Sequence, residues 1–218
     1  MKAHSFNLHI SDSIGFVSAE LMQPDNMQSI LTLAHGAGAG MNHKFMIELS
    51  EALAEEGIGT LRFNFPYMEQ KKKRPDVPAV AHAAVEAALQ QVHQLFPDVP
   101  IFASGKSFGG RMSSQWLALQ PHDFVKGIIF FGFPLHPAGK PGTERAAHLK
   151  QVSVPMLFLQ GTRDELATWP LITEVCKDLP RATLVALEQA NHAFYIPKKN
   201  AIPILASETA SWLKKIGS

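Results

Sequence analysis

The 218-residue chain contains a single cysteine, Cys176, so it can form no disulfide with itself and cannot build a cysteine-rich zinc module. Such a chain fits a reducing compartment. Charge of one sign is also lacking. Twenty Lys and Arg against nineteen Asp and Glu leave +1 at pH 7, so no global field draws nucleic acid or anionic lipid to the protein. Long apolar runs are missing as well. The longest uncharged apolar stretch spans residues 127–135, against the roughly 20 residues a membrane helix needs. The opening Met-Lys-Ala-His-Ser-Phe-Asn-Leu lacks the apolar segment of a secretory signal. There is neither an internal repeat nor a low-complexity tract. These absences lead us to expect a cytoplasmic globular protein that binds neither nucleic acid nor membrane. They leave its oligomeric state open.

What is present is enough apolar residue for a sizeable core: 46% hydrophobic against 18% charged. The length fits one domain over residues 1–218. Short apolar runs alternate with longer stretches of helical period. They predict strands at 6–10, 16–21, 29–34, 59–63, 101–104, 127–131, 156–160 and 183–187. The later runs, such as Ile128-Ile129-Phe130-Phe131 and Met156-Leu157-Phe158-Leu159, are apolar throughout, as in parallel strands covered on both faces. The first two are short and close together, which predicts an antiparallel hairpin at one edge. Helices are predicted at 43–56, 77–95, 108–119, 169–179 and 203–215. Val85, Leu89 and Val92 form a buried stripe in the second, and Met112, Trp116 and Leu119 one in the third. This alternation predicts an α/β fold with a doubly wound, mostly parallel sheet and a site at the carboxyl ends of its strands. Segments 66–78 and 134–143 read as loops at that edge, each too short for a lid domain.

Gly105-Lys106-Ser107-Phe108-Gly109-Gly110 follows a predicted strand and opens a predicted helix. It fits G-x-S-x-G, the nucleophile elbow. A serine on so sharp a turn needs small residues two before and two after it, and the turn pushes its hydroxyl out above a helix N-terminus. A phosphate-loop reading fails, because Pro100 stands where the first glycine is required. His35-Gly36-Ala37-Gly38-Ala39-Gly40 follows the strand at 29–34 and suits an oxyanion loop. Its donor is assigned to the N–H of Ala37, with Gly36 or Gly38 possible, paired with the N–H of Phe108. A dinucleotide fingerprint is excluded, because Met41 replaces the third glycine.

Ser107 then needs an acid and a histidine, in that chain order. Of ten histidines, His148 and His192 lie late in the chain. His192 follows the last strand at the carboxyl edge, whereas His148 precedes a strand. Asp164, in Gly161-Thr162-Arg163-Asp164, follows the strand at 156–160, with Glu165 as the adjacent fallback. Ser107, Asp164 and His192 thus fall at three correct strand ends.

These features resemble the α/β-hydrolases over nearly the whole chain. Within them, Arg62-Phe63-Asn64-Phe65-Pro66-Tyr67, Gly105–Met112 and Phe158–Asp164 resemble the small, lidless, dienelactone-hydrolase-like proteins, with Ser107 where dienelactone hydrolases have cysteine. The resemblance implies a serine hydrolase, a carboxylesterase for small esters, needing neither metal nor organic cofactor. A peptidase or thioesterase with the same triad, or a non-enzymatic interaction protein on the same fold, are the alternatives.

Secondary candidates follow by position. Asn42 and His43 are read as substrate contacts, against an alternative in which Asn42 caps the next helix. His136 is placed at the pocket rim. Lys106 is expected either to pair with Glu69 or to bind a substrate carboxylate. His35 is read as structural, Cys176 as a small buried apolar residue, and Lys71-Lys72-Lys73-Arg74 as a solvated run or an attractor of anionic substrates.

Overall fold

Along β3 (Ser29–Ala34) the side chains divide by the period of the pleat: Ile30 and Ala34 join one core, Leu31 and Leu33 the other. The same division runs through β5 (Ile101–Lys106), β6 (Val125–Phe131) and β7 (Met156–Gly161). Ala103, Phe130 and Phe158 face one side, and Phe102, Phe131 and Leu159 the other. A sheet apolar on both faces must be covered on both. In the computed structural model, which describes residues 2–217, α3 (Pro78–Leu95), α4 (Phe108–Leu119), a 3-10 helix (Glu144–Gln151) and α5 (Trp169–Lys177) cover the first face. The second is covered by α1 (Lys44–Glu55) and α6 (Ile202–Ile216).

The sheet has eight strands in the order β1-β2-β4-β3-β5-β6-β7-β8, including β1 (Lys2–Ser11), β2 (Gly15–Gln23), β4 (Ile58–Phe63) and β8 (Ala182–Leu187). Pairings from β4 through β8 are parallel, while β1–β2 and β2–β4 are antiparallel. This is the expected doubly wound sheet with an N-terminal edge hairpin and no lid. The chain leaves β3 toward β4 on one side and returns to β5 on the other. The loops after β3 and β5 therefore diverge at the carboxyl edge, where ligands of such sheets bind.

Differences from the sequence reading have local causes. β1 runs longer than predicted because the residues that extend it, Lys2 to Ser5, are exposed and mostly polar, which hides the apolar signal; β2 extends to Gly15 and Gln23. The segment 66–78 contains one helical turn, α2 (Pro66–Glu69), begun by a proline at its first position. Leu119 leaves the predicted stripe and is 71% exposed, because the buried face of α4 runs through Met112, Ser113, Trp116 and Leu117. Among the described residues, no helix is long and apolar enough to cross a membrane.

Candidate active site

Ser107 sits between β5 and α4 with φ 50° and ψ −113°, in the left-handed region that L-residues avoid. The turn closes only because its neighbours have no side chain. A Cβ at Gly105 would lie 2.4 Å from Gly110 N, and one at Gly109 would lie 2.3 Å from Ala34 O. The backbone of Ser107 is held from both sides: its N–H donates to Phe131 O at 3.3 Å and its C=O accepts from Arg111 N at 3.1 Å.

His192 lies in the loop after β8. Asn191 shapes that loop, its Oδ1 accepting from Ala193 N and Tyr195 N at 3.0 Å each. Arg163 N donates to Ala190 O at 2.9 Å, joining this loop to the one after β7. The imidazole bridges the other two residues: Nδ1 is 2.8 Å from Asp164 Oδ2 and Nε2 is 2.8 Å from Ser107 Oγ. A carboxylate only accepts, so Nδ1 carries the proton and the Nε2 lone pair faces the hydroxyl.

Asp164 is 3% exposed, and its charge is met by donors. Leu166 N donates to Oδ1 at 2.7 Å and Gln160 Nε2 to Oδ2 at 2.6 Å. Gln160 is itself fully buried, its Oε1 accepting from Phe133 N at 2.9 Å. Sequence reading missed it. The signal was a lone amide in the apolar run Met156-Leu157-Phe158-Leu159-Gln160, since a buried polar group demands partners. Glu165 instead accepts from the main-chain N–H of His192 at 3.3 Å, so Asp164 is the carboxylate at the imidazole.

The glycine-rich loop narrows the choice of oxyanion donors. Gly38 N donates to Tyr67 Oη at 2.9 Å and Ala39 N to Gly36 O at 3.2 Å. Gly36 packs against the elbow, 3.8 Å from Ser107 Cβ as measured from an added Cβ. The N–H of Ala37 has no partner among the described residues, and that of Phe108, first in α4, has no intrahelical acceptor. Beneath the loop His35 is fully buried, with Nδ1–H donating to Gly36 O at 2.7 Å and Nε2 accepting from Phe65 N at 3.0 Å. Burial lowers its pKa to about 4 against the opposing bond to Gly36, so it stays neutral and structural.

Three of the positional expectations are corrected. Lys106 does not pair with Glu69. Glu69 instead accepts from Ser18 N at 3.0 Å, Ser18 Oγ at 2.9 Å and Asn64 Nδ2 at 2.9 Å. Burial opposes its charge, but these bonds prevail and hold its carboxyl below the ordinary range. Lys106 Nζ donates to His192 O at 2.6 Å. His136 is 1% exposed and turned inward, Nδ1–H donating to Pro137 O at 2.9 Å and Nε2 accepting from Thr168 N at 3.1 Å. It staples two loops together and has no ring nitrogen left for a substrate. The cap of α1 is His43, whose Nδ1 accepts from Phe45 N at 3.2 Å, not Asn42, which is exposed. Cys176 is buried, and burial raises its thiol pKa to about 12.

Fold and site together define an elbow serine at the switch point of an α/β sheet, with an imidazole and a carboxylate behind it. A family model described as an α/β hydrolase domain matches residues 27–209, and the chain belongs to that family. Its architecture is that of the lidless, dienelactone-hydrolase-like kind. A dienelactone hydrolase from Anabaena variabilis superposes with TM-score 0.78 at 19% identity, over 98% of this chain and 97% of that one. A lidless α/β serine hydrolase from Xanthomonas campestris gives 0.73 at 20%, over 99% and 94%. Est1E from Butyrivibrio proteoclasticus gives 0.75 at 15%, over 97% and 98%. At these identities the likeness is one of fold. A proline iminopeptidase from Thermoplasma volcanium is 26% identical over 117 residues, so the match spans 54% of this chain and only 39% of that enzyme.

Proposed function

We propose that the protein is a serine hydrolase that cleaves small or short-chain carboxylic esters through an acyl-enzyme. The observation that supports this is the unbroken hydrogen-bonded chain from Asp164 through His192 to Ser107, with 2.8 Å at both links. In this reading, His192 Nε2 takes the hydroxyl proton as Ser107 Oγ attacks the ester carbonyl. The oxyanion of the tetrahedral intermediate lies against the N–H groups of Ala37 and Phe108. Asp164 remains ionised and steadies the imidazolium through Nδ1. Collapse of the intermediate breaks the carbonyl–alkoxy bond, and Nε2–H gives its proton to the leaving alcohol. Water then attacks the acyl-Ser107 ester, again giving its proton to Nε2. The carboxylic acid leaves, and the proton returns to Oγ. A site without a lid domain to cover a long chain suits small acyl groups better than long lipid chains.

The partial match to a proline iminopeptidase favours amide cleavage as a second reading, because the same groups perform it. One panel separates the readings: short p-nitrophenyl esters, thioesters, lactones and a prolyl amide, offered to the wild type and to Ser107→Ala. Ester turnover that disappears in the variant, with fluorophosphonate labelling of Ser107 in the wild type alone, is the expected result. Turnover of the prolyl amide alone would transfer the assignment to the peptidases. Failure to label with fluorophosphonate would leave the fold with a non-catalytic role.

A further inference from the structure

Lys106 has no part in the acyl-transfer steps, yet the site closes around it. It ends β5 immediately before Ser107. Its stem passes the glycine-rich loop and its amine lies at the end of β6. A Cβ added at Gly36 would stand 3.6 Å from Lys106 Cγ, and one added at Gly132 would stand 3.1 Å from Nζ. Nζ donates to His192 O at 2.6 Å, short enough for a charge-assisted bond. It is 5.0 Å from the ring centre of Phe194 and 5.9 Å from that of Phe45, and these rings stack 5.8 Å apart at 9°. No carboxylate lies within ion-pair distance of it among the described residues.

We infer that Lys106 is a positioning residue: its ammonium ties the main chain of His192 to the nucleophile strand, and loss of its proton slackens the imidazole's hold on Ser107. The inference rests on the reading of Ser107, His192 and Asp164 as the reacting groups. A lysine amine is a point donor that can lose its charge when desolvated, which an arginine in the same place cannot do. Burial lowers its pKa to about 8, against the pull of Asp164 and Glu165. Those carboxylates, on the loop after β7, are the charged groups that act on it. His35 on the glycine-rich loop stays neutral. Lys44 and Glu48 of α1 pair with each other at 3.6 Å on the surface. The His192 imidazole belongs to the tethered loop itself, and the end of β6 brings no charge. The tether is therefore charge-assisted below about pH 8 and weakens above it, because the neutral amine still donates but without the charge that shortens the bond.

The test is a pH profile of ester turnover from pH 6 to 10 for the wild type, Lys106→Met and Lys106→Arg. The wild type should lose kcat through an alkaline limb near pH 8. Lys106→Met should lose kcat about 10- to 100-fold at pH 7, the scale of a small misplacement of reacting groups, with KM nearly unchanged and no alkaline limb. Lys106→Arg should recover much of kcat and carry the limb beyond pH 10. A residue that only fills space would give none of these pH effects. The wild-type profile alone decides the matter if the variants do not fold, because a flat profile between pH 7 and 9.5 overturns the inference. Histidine NMR, with His192 assigned by difference from His192→Asn, adds a readout that needs no turnover. A shift of its signal near pH 8 that vanishes in Lys106→Met supports the tether even if no ester is cleaved, in which case the proposed function fails separately.

Discussion

Gln160 Nε2 and His192 Nδ1 converge on one atom, Asp164 Oδ2, at 2.6 and 2.8 Å. The amide of Gln160 cannot turn away, because its oxygen is held by Phe133 N. The carboxylate is thereby presented to the imidazole in a single orientation, with its remaining oxygen bound by Leu166 N.

Replacing Gln160 by Leu should therefore act on both chemistry and stability. The buried N–H of Phe133 loses its acceptor, a loss of about 1–3 kcal/mol for an orphaned group. Asp164 is left free to swing, and kcat should fall about tenfold or more with KM nearly constant. Thermal melts and steady-state ester kinetics measure the two effects. A variant with wild-type kcat would show that Leu166 N alone fixes the carboxylate.

The left-handed backbone of Ser107 makes a second prediction, which separates activity from stability. Ser107→Ala and Ser107→Gly should both lose turnover and fluorophosphonate labelling. Glycine, however, occupies φ 50° without steric cost, whereas alanine keeps the Cβ strain. The glycine variant should unfold at the higher temperature, by about 1 kcal/mol of stability after allowing for its looser unfolded chain. Equal melting temperatures would mean that the turn is not strained.

The meeting of Ser107, Asp164 and His192 is legible from sequence because residues that follow the ends of parallel strands in one doubly wound sheet gather at the same edge. Each end is marked by an apolar run, before Ser107, Asp164 and His192 alike. The direction of a side chain is less legible than its position. His136 stands at the carboxyl edge as expected, yet its ring turns inward to staple loops. Lys106 follows Phe102 and Ser104 by the period of two and so faces α1 and α6, the side where Phe45 and Phe194 lie. Position along the loop had pointed to Glu69, which is bound instead to β2 through Ser18. The first strand of the edge hairpin is underread for a different reason, since exposed positions such as Lys2 to Ser5 need no apolar alternation.

Tyr67 and Gly38 supply a third prediction. The phenol oxygen accepts the Gly38 N–H and so takes that amide out of the oxyanion candidates, while the Ala37 N–H has no partner among the described residues. Gly38 itself has φ +74°, so the loop depends on that bond to keep a single shape. Tyr67→Phe should release the Gly38 amide and misalign Ala37. If Ala37 is the oxyanion donor, kcat should fall toward the roughly 3 kcal/mol that loss of one such donor costs. The effect should be on kcat more than on KM, because the oxyanion exists only after attack. An unchanged kcat in Tyr67→Phe would remove Ala37 from the oxyanion site.

The last prediction concerns acid. His35 has an ordinary pKa of 6.5, and burial takes it to about 4 in the folded protein. The unfolded chain therefore binds a proton at this residue over a range where the folded chain does not. By linkage, the His35 contribution to stability is complete above pH 6.5 and is lost as pH falls toward 4. The full loss is on the order of 3 kcal/mol. His148, also lowered to about 4 by burial, by Arg111 and by His82, acts in the same direction. Denaturant melts between pH 7 and 4 should show this decline, and ester turnover should fall with it as the protonated Nε2 can no longer accept from Phe65 N beneath the glycine-rich loop. His35→Gln should start from lower stability at pH 7 but fall less steeply, since glutamine does not titrate. Parallel slopes for wild type and His35→Gln would mean that the ring is protonated in the native state without disturbing the loop.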